Sequence, residues 1–309
     1  MFMTPRTAAE LYAELWARVE ARDDVVCTTH PLVHEAGTWD FLRLASVDIG
    51  PDGRVVVVRA TIHGDEVAGA LTVMNHLDVL VDRAHSRGLK LVVYPLGNPS
   101  GYDRGVRYNA DHHMGEGNND FLRYVLEDGS VTGDLGAGES FRSWMLADEP
   151  ALGIDLPAES RLMLELVRQD PNEQVVAAFD LHQDFVTEGL GPCAYHYAFG
   201  DLSRYDDIVA EVAEVAPLLV DFDMAGGFGE QIDDAGNVLA RTAEEASQDA
   251  VRSDQHGFIV RHDGSFSDFY HRLGVPHSIA IETSGATPIQ DACRVNLIWI
   301  AGVMDLIAG

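Results

Sequence analysis

The stretch Arg54-Val-Val-Val-Val-Arg-Ala-Thr-Ile62, followed at once by His63-Gly-Asp-Glu66, decides how this chain is read. The first nine residues form a near-continuous apolar run of strand length, the pattern of a strand buried on both faces. Glu66 then opens a strongly apolar segment of helical length, residues 66–84. An imidazole and a carboxylate three residues apart at such a strand-to-helix turn can converge on one metal ion. The spacing alone is common by chance, so its meaning depends on what stands at the ends of the other predicted strands.

Working outward, strand and helix patterns alternate along most of the chain, which predicts an α/β layer architecture. Thr7 caps a predicted helix to about residue 22, with Leu11, Leu15 and Val19 on one face. The turn signal Pro51-Asp-Gly53 predicts an antiparallel hairpin between residues 41–47 and 54–60. Further strands are expected at 89–96, 175–181 and 278–282, and helices at 139–146, 158–169, 266–273 and 289–307. Residues 97–120 are rich in Gly, Asn and His and follow neither period; loops of that length inside a domain usually carry function. Between 189 and 257 the pattern is weakest: helices at 203–215 and 242–252, and the glycine-rich Ala225-Gly-Gly-Phe-Gly229, read as a mobile loop without the setting of a phosphate cradle. The expected organisation is a single domain over residues 1–309, with 189–257 as a subdomain or lid.

Composition narrows the function. With 309 residues and 46% hydrophobic content the chain can bury a large core. Its 50 acids against 21 bases, Lys90 being the only lysine, give a formal charge of −29. Such a chain repels phosphate backbones and anionic membrane surfaces, so nucleic-acid and membrane partners are not expected. No apolar run reaches transmembrane length. The three cysteines, Cys27, Cys193 and Cys293, are odd in number and widely spaced. They read as reduced thiols of a cytoplasmic protein.

Four polar groups stand at the carboxyl ends of predicted strands: His63 with Glu66, Asn98, His182 and Glu282. In open α/β sheets that rim binds ligands. Two histidines and a glutamate form the ligand set of catalytic zinc sites, and Glu282 is then free to take a proton from water. Asp180, two residues before His182, reads either as a partner that orients that imidazole or as a plain core or turn aspartate. His30 and His34 flank a proline and read as solvated, and His112 and His113 read as loop histidines lining a pocket entrance, with a second metal site or substrate contacts as the alternative. The Ser284-Gly285 pair has no nucleophile-elbow context, which argues against a serine hydrolase.

His63-Gly-Asp-Glu66, Asn98-Pro-Ser-Gly101, Asp180-Leu-His182 and Ile281-Glu-Thr283 occur in the order and context of the zinc carboxypeptidase superfamily, which the chain resembles over roughly residues 54–309. That superfamily spans metallocarboxypeptidases, murein-peptide amidases and the succinylglutamate desuccinylase and aspartoacylase branch. The resemblance implies a three-layer α/β/α fold with a mixed, mostly parallel sheet of about eight strands. It implies one Zn2+ per chain on His63, Glu66 and His182, with Glu282 as general base. Arg107 matches the arginine that polarises the scissile carbonyl, a role a fixed guanidinium suits because charge develops there only in the transition state. Ser267 falls where side-chain selectivity is set.

One departure concerns the substrate. The superfamily's carboxylate-binding loop carries an Asn-Arg pair; here Asn118 matches the asparagine, but Asn119 stands at the arginine position. Recognition of a free C-terminal carboxylate thereby loses its charge-assisted fork unless Arg123 or Arg104 substitutes. Val260 stands where carboxypeptidases place a tyrosine. The expectation is a zinc-dependent hydrolase cleaving an amide bond in a small-molecule or short-peptide substrate, as a carboxypeptidase-like peptidase. The alternatives are an N-acyl amino acid deacylase and a non-catalytic binding protein using the same cleft.

Overall fold

The computed structural model describes residues 5, 7–47, 53–111, 118–135, 139–170, 172–185, 187–222, 231–232, 238–239 and 251–309. In chain order the strands are β1 (Val25–His34), β2 (Gly37–Ser46), β3 (Val55–Ala60), β4 (Lys90–Tyr94), β5 (Leu122–Leu126), β6 (Val131–Thr132), β7 (Phe141–Leu146), β8 (Val175–Leu181), β9 (Ala194–Ala198), β10 (Gln231–Ile232), β11 (Val238–Leu239), β12 (Phe258–Ile259) and β13 (His277–Thr283). The helices are α1 (Ala8–Glu20), α2 (Ala68–Ser86), α3 (Pro99–Arg104), α4 (Ala158–Gln169), α5 (Asp206–Ala213), α6 (Phe266–Arg272) and α7 (Ile289–Ala308).

An eight-stranded sheet in the order β1-β2-β4-β3-β8-β13-β9-β12 forms the middle layer. Its centre is parallel, with β3 between β4 and β8, and β8 beside β13. β9 runs antiparallel to β13, and β12 parallel to β9. The valine run of β3 explains why it lies at the centre. Val56 and Val58 enter the core formed with α1, α2, α5 and α7, whereas Val55 and Val57 enter the core formed with α4, α6 and the small sheet β6-β5-β7. Alternate residues of a strand face opposite sides, so a strand covered on both needs apolar residues at every position. Full burial of each valine stabilises by about 1.5–3 kcal/mol. The result is the mixed, helix-flanked sheet that the sequence predicts.

Three elements differ from expectation. The hairpin between residues 41–47 and 54–60 does not form: β2 pairs antiparallel with β1 and β4, and β4 separates it from β3. β1 is an edge strand whose alternating polar residues and Pro31 hide its character, and an edge is where proline is tolerated. The segment predicted as a helix at 139–146 is instead β7, paired antiparallel with β5; Phe141 and Trp144 suit a pleated, half-buried surface. Finally, α2 begins at Ala68, leaving Glu66 in the turn before it. The predicted helix at 242–252, the glycine-rich stretch at 225–229, and His112 and His113 lie outside the described residues, apart from Val251 and Arg252, which are not helical. Among the described residues, no helix is long and apolar enough to cross a membrane.

Candidate metal centre and active site

The site lies at the carboxyl ends of the central parallel strands. β3 ends at Ala60, and the chain turns sharply at Thr61, a β-branched residue held at φ 54°. That left-handed conformation is costly for such a residue and persists where surroundings fix it. Here the fixing contacts are explicit. Thr61 Oγ1 donates to Glu66 O (3.1 Å) and accepts from Ala70 N (3.2 Å), while Asn98 N donates to Thr61 O (2.9 Å). The turn aims His63 and Glu66 back across the strand ends.

Gly64 sits against the neighbouring segment so tightly that a Cβ would lie 2.1 Å from the carbonyl carbon of Gly101. The motif needs glycine there because backbone meets backbone. Asn98 caps α3 by accepting from Gly101 N (2.7 Å), and its Nδ2 donates to Arg107 O (3.1 Å). Gly64 N donates to Arg107 O (3.3 Å) and Asn98 N to Thr61 O (2.9 Å), which hold the two segments side by side.

His63 Nδ1 lies 2.8 Å from Glu66 Oε1, and His182 Nδ1 lies 2.9 Å from Glu66 Oε2. One ligand atom from each of the three buried residues falls within 4.8 Å of the others. His182 follows β8 directly, and its backbone N–H donates to Ile281 O of β13 (2.9 Å). Its second nitrogen, Nε2, stands 2.9 Å from Asp180 Oδ2. An orienting carboxylate on the far side of the ring is what metal-binding imidazoles normally carry. Burial pushes the His63 imidazole down to about 4, whereas at His182 burial is outweighed by Asp180, Glu282 and Glu66, which push the ring up. Burial pushes Glu66 upward, but the two imidazoles outweigh it and hold the carboxyl below its usual range. The donor set, its burial and its orienting shell all fit a zinc ion.

Glu282, on β13, completes the cluster with Oε1 3.8 Å from His182 Nδ1, and its Oε2 is buried without a hydrogen-bond partner. Burial raises its carboxyl well above the usual range, helped by Glu66 and Asp184 and opposed by His182 and Arg107. Arg107 Nη1 donates to Glu66 Oε1 (2.8 Å) from a side chain that is 39% exposed.

The remaining predicted residues have other engagements. Asn118 Nδ2 donates to Ile62 O (3.3 Å) and Arg107 O (3.1 Å), so its side chain ties the loop to the metal-ligand turn. Asn119 Oδ1 accepts from Arg59 Nη2 (2.6 Å) and from Phe266 N (3.4 Å). Arg123, on β5, pairs with Asp120, and Arg104 Nη1 reaches Asn109 O at 3.5 Å. Ser267 is buried in α6 with its Oγ 3.2 Å from Ser265 Oγ. Val260, at the tyrosine position, is exposed.

Sequence reasoning missed two features. Arg59, fully buried in β3, pairs with Asp180 and packs against the rings of Phe121 and Phe266. A lone cation inside a valine run was the available signal, since buried charges need partners. His34, expected to be solvated, is instead buried between Asp111 and Glu159, because it closes an edge strand that α4 covers.

The chain has a carboxypeptidase-like fold, a mixed, mostly parallel eight-stranded sheet flanked by helices. Solved structures agree. Provisionally described metallopeptidases of Shewanella baltica (17% identity, 96% of this chain and 91% of that one, TM-score 0.61) and Shewanella amazonensis (19%, 98% and 94%, 0.61) are similar throughout. So is bovine thrombin-activatable fibrinolysis inhibitor, solved with tick carboxypeptidase inhibitor (15%, 98% and 97%, 0.56). No protein-family model and no curated protein sequence matches the chain.

Proposed function

We propose that the chain is a zinc-dependent hydrolase that cleaves an amide bond, with the terminal bond of a short peptide as the leading substrate class. The observation that carries this reading is the convergence of His63 Nδ1, His182 Nδ1 and the Glu66 carboxylate on one buried point beside Glu282. An ion held there supplies a Lewis acid that acidifies water and polarises a carbonyl.

The protein's own groups do the rest. Glu282 is the proton carrier: its Oε2, buried and without a partner, takes a proton from the attacking water and returns it to the leaving nitrogen. Its high proton affinity arises from burial, with Glu66 and Asp184 adding to it and His182 and Arg107 drawing it down. Arg107, partly exposed and bonded to Glu66, serves the carbonyl oxygen by turning its guanidinium to the place where negative charge develops. Asp180, held by Arg59, fixes the ring of His182.

A second reading, hydrolysis of an N-acyl amino acid or similar small amide, is supported by Asn119. That residue stands where a carboxylate-binding arginine is expected and is already bonded to Arg59, while Arg123 is paired with Asp120.

Metal analysis of purified protein, followed by turnover assays on blocked dipeptides and on N-acyl amino acids with and without chelator, tests both. The expected result is bound zinc and chelator-sensitive release of C-terminal residues. Turnover of N-acyl amino acids alone favours the second reading. Full metal occupancy with turnover of neither assigns the cleft to binding.

A further inference from the structure

A second group of ligand-type side chains lies beside α3, whose Ser100 bonds one of its members, Glu159. His34 ends β1, Asp111 follows the Asn98–Arg107 segment, and Glu159 stands in the first turn of α4. One ligand atom from each lies within 4.8 Å of the others. The side chains of His34 and Glu159 are wholly buried, while that of Asp111 is 24% exposed. We propose that His34, Asp111 and Glu159 bind a second divalent cation of the zinc or manganese kind, which pins the Asn98–Asp111 segment to the edge of the sheet.

Three observations carry this. First, the imidazole is poorly served by what surrounds it. Its Nδ1 is 3.4 Å from Asp111 Oδ2 and its Nε2 is 3.4 Å from Glu159 Oε1, and neither nitrogen makes a hydrogen bond. A charge-assisted bond between such groups closes to about 2.7–2.9 Å. Second, Glu159 Oε2 is buried with no hydrogen-bond partner, and its Oε1 receives only Ser100 Oγ at 2.5 Å beside the distant imidazole. Third, among the described residues no arginine or lysine pairs with Glu159, whose carboxylate is wholly buried. Burying an uncompensated charge is costly. A divalent cation on a neutral imidazole and two carboxylates brings the group to neutrality with one nitrogen and several oxygen donors, a set that suits zinc or manganese.

The position gives the site a consequence. Ser100 Oγ donates to Glu159 Oε1 (2.5 Å) and lies 3.2 Å from Asn98 Oδ1, and Asn98 Nδ2 in turn donates to the Arg107 carbonyl (3.1 Å). A cation at Glu159 is therefore two side chains from the backbone that carries Arg107.

The test is a metal count on the full chain, stripped with chelator and dialysed against zinc or, separately, manganese at micromolar free metal. The expected stoichiometry is two ions per chain. His34→Ala and Glu159→Gln each retain one ion, with affinity for the other lowered at least about tenfold, the order seen when metal shells are damaged. His63→Ala also retains one ion, and that ion is lost on adding Glu159→Gln. If a buried variant fails to fold by circular dichroism, Asp111→Asn at the exposed edge takes its place and is expected to weaken the same ion. A wild-type count of one that His63→Ala abolishes overturns the proposal, as does a second ion indifferent to His34, Asp111 and Glu159. If His63→Ala leaves the count unchanged, the reading of the first centre fails while this one stands.

Discussion

Arg59 Nε donates to Asp180 Oδ1 at 2.8 Å, and both side chains are completely buried between β3 and β8. Burial pushes Asp180 upward, but Arg59 and His182 outweigh it and hold its carboxyl well below the usual range. The same guanidinium bonds Asn119, so one buried cation joins the shell of a candidate metal ligand to the candidate substrate loop. Removing only the cation, as in Arg59→Met, leaves the buried Asp180 with only the His182 ring beside it and is expected to cost about 3–5 kcal/mol. Arg59→Met/Asp180→Leu is expected to recover much of that loss while still weakening metal binding. Urea unfolding of the two variants provides the comparison; equal destabilisation would show that the pair is not what makes Arg59 necessary.

Replacing Glu282 by Gln separates chemistry from metal binding. The amide keeps the shape of the side chain but cannot carry a proton, so turnover is expected to fall by about 10²–10⁴-fold. Zinc content is expected to match the wild type, because the three ligands are untouched. Unchanged turnover at full occupancy would remove Glu282 from the mechanism.

How far the sequence reveals this arrangement follows from what periodicity records. β3, β8 and β13 are legible because both faces are covered, which writes continuous apolar runs. His63, Glu66, His182 and Glu282 are legible because each stands at such a run's carboxyl end. β1 and β7 are not, since an edge strand and a half-exposed strand mix polar residues in patterns shared with turns and helices. Partnerships across distant segments leave even less trace. Arg59 meets Asn119 across 60 positions, and His34 meets Glu159 only because the covering helix begins there. Neither contact has a spacing rule.

Gly64 offers a steric test of the motif. A methyl group at that position would meet Gly101 C at 2.1 Å, Tyr102 N at 2.3 Å and Val106 O at 2.5 Å, all backbone atoms. Backbone cannot swing aside as a side-chain tip can, so Gly64→Ala must push α3 and the Arg107 segment away from the ligand turn. The expected cost is about 1–3 kcal/mol, within the range of overpacked cores. Turnover is expected to fall further than stability suggests, because Arg107 moves with the displaced segment. Thermal unfolding together with kcat measures the two effects; a variant of wild-type stability would mean that the two backbones can separate freely.

His196 makes stability depend on pH. Its ring lies among Phe258 and Trp299, with both nitrogens buried and unbonded. Burial pushes its imidazole down from 6.5 to about 3. Between those values the unfolded chain binds a proton there and the folded chain does not, so stability rises with pH. The contribution is complete above about pH 6.5 and falls by up to about 1.4 kcal/mol per unit as the medium is acidified towards pH 3. His277 and His271, both lowered to about 4, act in the same direction over a narrower window. His196→Phe keeps an aromatic ring in the cluster and carries no proton. Its unfolding free energy, measured in urea at pH 7 and pH 5, is expected to fall less on acidification than that of the wild type. An identical fall in both proteins would show that the imidazole of His196 already takes up its proton in the folded state.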